Sequence, residues 1–155
     1  MGIKSFQGAR KLQQNTIEVA SLKVSDYMSH EIITFRPEQK VEEVIQALIK
    51  YKISGGPVVN NNNELVGVIS EGDCLKQISE SRYYNMPMEQ HTVENRMVKD
   101  VETIDGNMNI FDAANKFLDS KVRRFPIVEG GKLVGLISQK DVLKAAIELK
   151  GQNWK

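Results

Sequence analysis

A heptapeptide that occurs twice constrains this chain more than any other feature. Its copies are Gly67-Val68-Ile69-Ser70-Glu71-Gly72-Asp73 and Gly135-Leu136-Ile137-Ser138-Gln139-Lys140-Asp141. Each follows a short apolar run, Leu65-Val66 or Leu133-Val134, and each precedes a Leu-Lys pair. Both read as a strand that ends at a serine and turns into a helix, because a serine with an acid three positions on is a helix start signal. A helix start also presents backbone N–H groups at the positive end of a dipole, which suits an anion.

The repetition reaches far beyond the heptapeptide. Met28 matches Met97 at a separation of 69 (97 − 28), and at the same separation Val24 meets Val93, Val41 meets Ile110, Leu48 meets Phe117, Pro57 meets Pro126 and Val59 meets Val128. Gly67 meets Gly135 at 68. The slip falls between Asn60–Glu64 and Glu129–Lys132, polar stretches where a hairpin loop tolerates a change of length. Two tandem copies therefore cover about Leu22 to Leu149, and residues 1–21 lie outside them as an N-terminal helix or tail. The division expected is 1–21, a first repeat over 22–85 and a second over 86–155.

Within the first copy, Val24–Met28 predicts a turn of helix and Ile32–Phe35 a strand that stops at Pro37. Val41, Val44, Ile45, Leu48 and Ile49 recur at helical spacing, and Ser54-Gly55-Gly56-Pro57 breaks that helix. Val58-Val59 and Leu65–Ile69 predict a hairpin, and a second helix runs from Ser70 towards Ser81. In the second copy, Ile110, Ala113, Ala114, Phe117 and Leu118 keep the first helix's spacing. Phe125–Val128 and Lys132–Ile137 keep the hairpin. The last helix is expected from about Gln139 towards Leu149, with Gly151 as its stop. The fold class is α+β, two tandem β-α-β-β-α repeats. Tyr83, Tyr84, Met86 and Met88 in the connector are expected to pack on a neighbour, and Trp154 to fold back or meet a partner chain.

One such repeat alone buries little core, so the two are expected to pack together. The formal net charge is +1 and no basic block marks a nucleic-acid footprint. No apolar run approaches the roughly 18 residues of a membrane span, and the N-terminus lacks a signal peptide's apolar stretch. The single cysteine, Cys74, fits a reducing compartment, so a cytoplasmic location is expected; its counterpart Val142 marks it as a small core hydrophobe. No His/Cys/carboxylate cluster has metal-ligand spacing, no serine or cysteine has a local base, and there is no phosphate loop or dinucleotide fingerprint. Asp73 and Asp141 form a pair of acids, but a duplicated helix cap explains them without catalysis. The chain is therefore read as no enzyme, with no required cofactor.

The pattern resembles tandem cystathionine β-synthase (CBS) domains, whose paired form is called a Bateman module. The resemblance rests on the two heptapeptides, on Ser54-Gly55-Gly56-Pro57-Val58-Val59 and Val122-Arg123-Arg124-Phe125-Pro126-Ile127-Val128, and on Thr34–Pro37 and Thr103–Gly106 before the first helices. It covers about four-fifths of the chain. It implies a pseudo-two-fold pair of repeats that binds adenosyl compounds (AMP, ADP, ATP or S-adenosylmethionine) in two clefts and acts on an unidentified partner protein. Carried over, one cleft takes Val68, Ser70 and Asp73 with Asp100, Val101 and Glu102, and with Val122 and Arg123, beside Arg124. The other takes Leu136, Ser138, Lys140 and Asp141 with Ser25, Glu31, Ile32 and Ile33, and with Ile53 and Ser54.

Those roles make physical sense. A carboxylate can accept from both ribose hydroxyls, a serine hydroxyl and helix N–H groups can hold a phosphate, and apolar strand residues can flank adenine. Arg123, Arg124 and Lys140 supply cations. Two positions depart from the family, which often has Ser or Thr before the motif aspartate where this chain has Gly72 and Lys140. The resemblance also implies a homodimer stacked through apolar helix faces. The alternative is an interaction or scaffold protein that keeps the fold with clefts that do not bind.

Overall fold

The computed structural model of the chain describes residues 22–83 and 91–153. It is a mixed helix and strand protein in which each copy contributes a hairpin followed by a long helix. The elements are α1 (Val41–Tyr51), β1 (Gly55–Val59), β2 (Leu65–Ser70) and α2 (Glu71–Tyr83), then α3 (Ile110–Asp119), β3 (Arg124–Glu129), β4 (Lys132–Ser138) and α4 (Gln139–Asn153). Short helical turns, Val24–Asp26 and Val93–Arg96, open the copies. β1 pairs antiparallel with β2, and β3 with β4, as two separate hairpins. The expectations for residues 1–21, for Tyr84, Met86 and Met88, and for Trp154 fall outside the described residues.

The helices follow from their spacing. On α1, Val41, Val44 and Leu48 are buried, and on α3, Ile110, Ala113 and Phe117 are buried. Each start is tied down locally. Lys40 N–H donates to Glu43 Oε2 at 3.0 Å, and Asn109 Oδ1 accepts from Phe111 N–H at 2.7 Å. The expected apolar stripe is too wide, however. Ile49 is 73% exposed and Leu118, its counterpart, 82%, because residues at the edge of such a stripe turn away from the core.

Three other expectations are corrected. The strands foreseen at Ile32–Phe35 and before Ile104 shrink to single parallel bridges, Phe35↔Val58 and Ile104↔Ile127. Pro57 and Pro126 lack an N–H, so a longer ladder against them cannot close, although their carbonyls accept from Phe35 and Ile104. Gly151 does not stop α4, which continues to Asn153.

Among the described residues the chain forms two compact units that cut across the copies: one within 31–103 with 128–134, the other 22–30 with 104–127 and 135–153. The first unit has a core of Phe35, Val41, Val44, Leu48, Val58, Ile69, Cys74 and Val93. In the other, Phe125, Ile104, Ile110, Ile127, Ile137 and Val24 are fully buried, and the Phe117 and Phe125 rings meet at 4.8 Å. Each large apolar side chain so buried stabilises by about 1.5–3 kcal/mol.

The bridges pair off under exchange of the copies. Lys23↔Asn109 corresponds to Lys40↔Thr92, Ser29↔Leu136 to Val68↔Val98, and Phe35↔Val58 to Ile104↔Ile127. Glu64↔Lys132 is its own counterpart, flanked by the matching bonds Leu65 N–H to Gly131 O (3.3 Å) and Leu133 N–H to Asn63 O (3.0 Å). The one-residue slip sits here and has a chemical cause. The first loop is held by Asn60, whose Oδ1 accepts from Asn62 and Glu64 N–H, whereas the second turns on Gly130 and Gly131, both at positive φ.

Candidate functional site

The serine-to-aspartate motif forms the same cap in both copies. Ser70 N–H and Oγ–H both donate to Asp73 Oδ2, at 2.9 and 3.0 Å, and Asp73 N–H donates back to Ser70 Oγ at 3.4 Å. For Ser138 and Asp141 the distances are 2.8, 3.0 and 3.3 Å. The cap draws on Oδ2 alone. Among the described residues, Oδ1 of each aspartate accepts no hydrogen bond, and a carboxylate oxygen there has two lone pairs for a ligand hydroxyl. The helix start is less open than the sequence suggests. Glu71 N–H is taken by Ser54 O at 2.9 Å and Asp73 N–H by Ser70 Oγ, so two of the first three donors of α2 already have acceptors.

In the first unit, β2 carries Val68 and Ser70 to the cap, and a segment of the second copy crosses β2 there. Val68 and Val98 exchange both backbone hydrogen bonds at 2.9 Å, and Asp100, Val101 and Glu102 follow within four residues. The motif glycine makes the crossing possible: a Cβ on Gly67 would lie 2.7 Å from Met97 Sδ and 2.9 Å from Val98 O. A pocket of about 170 Å³ opens beside the crossing, lined by Leu65, Val66, Gly67, Lys99, Val101, Thr103, Val128 and Gly131. Its lining takes the alternate residues Lys99, Val101 and Thr103, while Asp100 and Glu102 are exposed and not part of it. Lys99 and Thr103 were missed by sequence reasoning, although the two-residue period of extended chain was a signal that could have found them.

The second unit repeats the crossing. Ser29 and Leu136 exchange bonds of 2.8 and 3.0 Å, and a Cβ on Gly135 would meet Met28 Sδ at 2.5 Å. Leu136, Ser138 and Asp141 lie at this cap, and Ser25 N–H is held by Gly106 O at 3.0 Å in the same unit. Lys140 is exposed and shares a helix-face groove with Leu143, Lys144, Ile147 and Glu148. Val122, Arg123 and Arg124 belong to this unit too, all exposed. Glu31, Ile32, Ile33, Ile53 and Ser54 belong to the first unit, where Ile33 and Ile53 pack against its core. Gly72 leaves space, its nearest neighbour to an added Cβ being Ser70 Oγ at 3.6 Å.

Cys74 is 3% exposed. Burial first, then the Asp73 and Glu71 carboxylates, push its thiol up to about 11. It is a core residue with a suppressed thiolate. Among the described residues no group of His, Cys, Asp and Glu is placed to hold a metal ion, and no helix is long and apolar enough to cross a membrane.

The CBS domain family profile matches residues 24–80 and 93–148. CBSX2, a chloroplastic CBS domain-containing protein of Arabidopsis thaliana, is 28% identical over 153 aligned positions, covering 82% of this chain and 64% of the relative. Its crystal structure in complex with AMP superposes with a TM-score of 0.73 at 29% identity, covering 83% of this chain and 98% of that one. An inosine-5'-monophosphate dehydrogenase of Aquifex aeolicus is 34% identical over 113 residues, 72% of this chain and 22% of the enzyme. An uncharacterized protein of Methanocaldococcus jannaschii, MJ1225, is 25% identical over 93% of this chain and 48% of its own length. The chain thus spans between about a fifth and two-thirds of these curated relatives.

Proposed function

From a chain that belongs to the CBS-domain family, with its domains in tandem, we infer a regulatory ligand-sensing module that binds an adenosyl nucleotide and acts on a partner protein. One observation carries the reading. Val68 is bridged to Val98, four residues or fewer ahead of Asp100, Val101 and Glu102, in the unit that also holds the Ser70–Asp73 cap, and that cap uses Asp73 Oδ2 and leaves Oδ1 for a ribose hydroxyl. The AMP held by the 29% identical CBSX2 supports the ligand class. The pocket beside the crossing, about 170 Å³, falls short of the roughly 300–1,000 Å³ of small-molecule sites, so further residues must complete the site. Lys99, which lines that pocket, is proposed for the phosphate end.

The same reading has no turnover in it. Asp73 and Asp141 are engaged as caps, and Cys74 is buried and protonated. Assembly as a homodimer is part of the proposal. Ile49, Leu75 and Ile78 are exposed on the helices of one unit, and Leu118, Leu143 and Ile147 on those of the other. Large apolar side chains in that number on helix faces favour cover by a second copy.

A thermal-shift panel of adenosine, AMP, ADP, ATP and S-adenosylmethionine tests the function. A ligand at 100 times its Kd stabilises the native state by about 2.7 kcal/mol, a rise of several degrees in Tm. A flat panel would instead favour a scaffold that keeps the fold without binding.

A further inference from the structure

The helix that leaves each cap is fastened, near its far end, to the short turn that feeds the crossing segment. In the first unit Arg96 pairs with Glu80 and donates through Nε to Gln77 Oε1, while Gln77 Nε2–H donates to Ser81 Oγ at 2.7 Å. Gln77 is fully buried and Ser81 9% exposed. Arg96 ends the turn Val93–Arg96, and Met97-Val98 follows at once onto Gly67 and Val68. In the other unit the matching positions are Tyr27 for Arg96, Glu148 for Glu80, Ala145 for Gln77 and Leu149 for Ser81. The fastening persists with other chemistry: Tyr27 Oη–H donates to Glu148 Oε2 at 2.8 Å, and the neighbouring helix positions Ala145 and Leu149 are buried and apolar. Met28-Ser29 follows Tyr27 onto Gly135 and Leu136.

We propose that these are two independent latches that position the crossing segments, one ionic and tied to a buried polar network, the other a phenol–carboxylate bond on a helix whose matching positions are apolar. Each holds the segment that crosses the strand leading into its own cap. Arg96 and Glu80 are then positioning residues for the Asp73 site, and Tyr27 and Glu148 for the Asp141 site. The Arg96–Glu80 pair is partly exposed, at 16% and 41% for the two side chains, so added salt screens it. The Tyr27 bond has an uncharged donor and responds less. The two sites therefore answer differently to ionic strength. This last step rests on the nucleotide-binding reading above; the latches themselves do not.

The paired amides at the crossings report the latches without any ligand. Amide hydrogen exchange is followed at Val68 and Val98, and at Ser29 and Leu136, in Glu80→Ala and Tyr27→Phe. Glu80→Ala should speed exchange several-fold at Val68 and Val98 and leave Ser29 and Leu136 unchanged; Tyr27→Phe should do the reverse. Loosening of all four by either variant, or of none, overturns the proposal, and the first pattern is what general destabilisation would give. AMP titration of the same variants is the second arm. Affinity lost several-fold in Glu80→Ala supports positioning at the Asp73 site; unchanged affinity alongside faster exchange overturns that role. A wild-type chain that takes no nucleotide at all contradicts the functional reading, and the exchange arm still decides the latches.

Discussion

Asp73 and Asp141 each serve the cap with one oxygen, and the proposed ribose contact would use the other, so the two roles are separable by experiment. Without ligand, Asp73→Ala and Asp141→Ala should each lower unfolding free energy by about 1 kcal/mol, the usual cost of a lost cap, and by similar amounts because the cap distances match. Denaturant midpoints check this. Ligand binding should separate them. Cys74 gives a second prediction at this scale. A thiol raised from 9.0 to about 11 contributes stability that is fully present below pH 9 and is lost as pH rises through 11. At pH 8 a thiol reagent should therefore leave the native protein untouched and label it fully in denaturant. Labelling of native protein within minutes would mean Cys74 is reachable.

Among the elements, the motif glycines and Gly72 make opposite demands. Gly67→Ala places a methyl group 2.7 Å from Met97 Sδ and 2.9 Å from a backbone carbonyl, so it should destabilise by about 1–3 kcal/mol, as overpacking does. Gly72→Ser should be tolerated within about 0.5 kcal/mol, since nothing lies closer than 3.6 Å to the added carbon. Thermal melts of the two variants read the difference. Elements set by local pattern were legible in the sequence: α1 and α3 through their period, the hairpins through their breakers, the caps through Ser and Asp. Elements set by distant partners were not. The first strands shrink to bridges because they meet proline, Ile49 and Leu118 stay exposed, and Ser54 O takes a helix donor from a residue 17 positions away. The candidate site divides the same way. Its motif residues were visible in the chain, but the two-residue period that picks out Lys99 and Thr103 takes its phase from the bridge of Val98 to Val68, a distant partner.

At the scale of the molecule, duplication has produced two caps, two crossings and two fastenings with unlike chemistry. The proposed homodimer follows from the apolar helix faces, and light scattering at micromolar concentration should give twice the chain mass of 17.5 kDa. The central claim is that the Ser70–Asp73 cap is the stronger nucleotide site, in the unit whose pocket carries the cation Lys99. Isothermal titration with AMP tests it most directly, on the wild type, Asp73→Ala and Asp141→Ala. Asp73→Ala should weaken the tightest binding event by about 1.5–3 kcal/mol, the range for hydrogen bonds to a charged group, while Asp141→Ala leaves it nearly unchanged. Tight AMP binding that survives Asp73→Ala and vanishes in Asp141→Ala would contradict the assignment, and binding unaffected by either would leave the aspartates as helix caps alone.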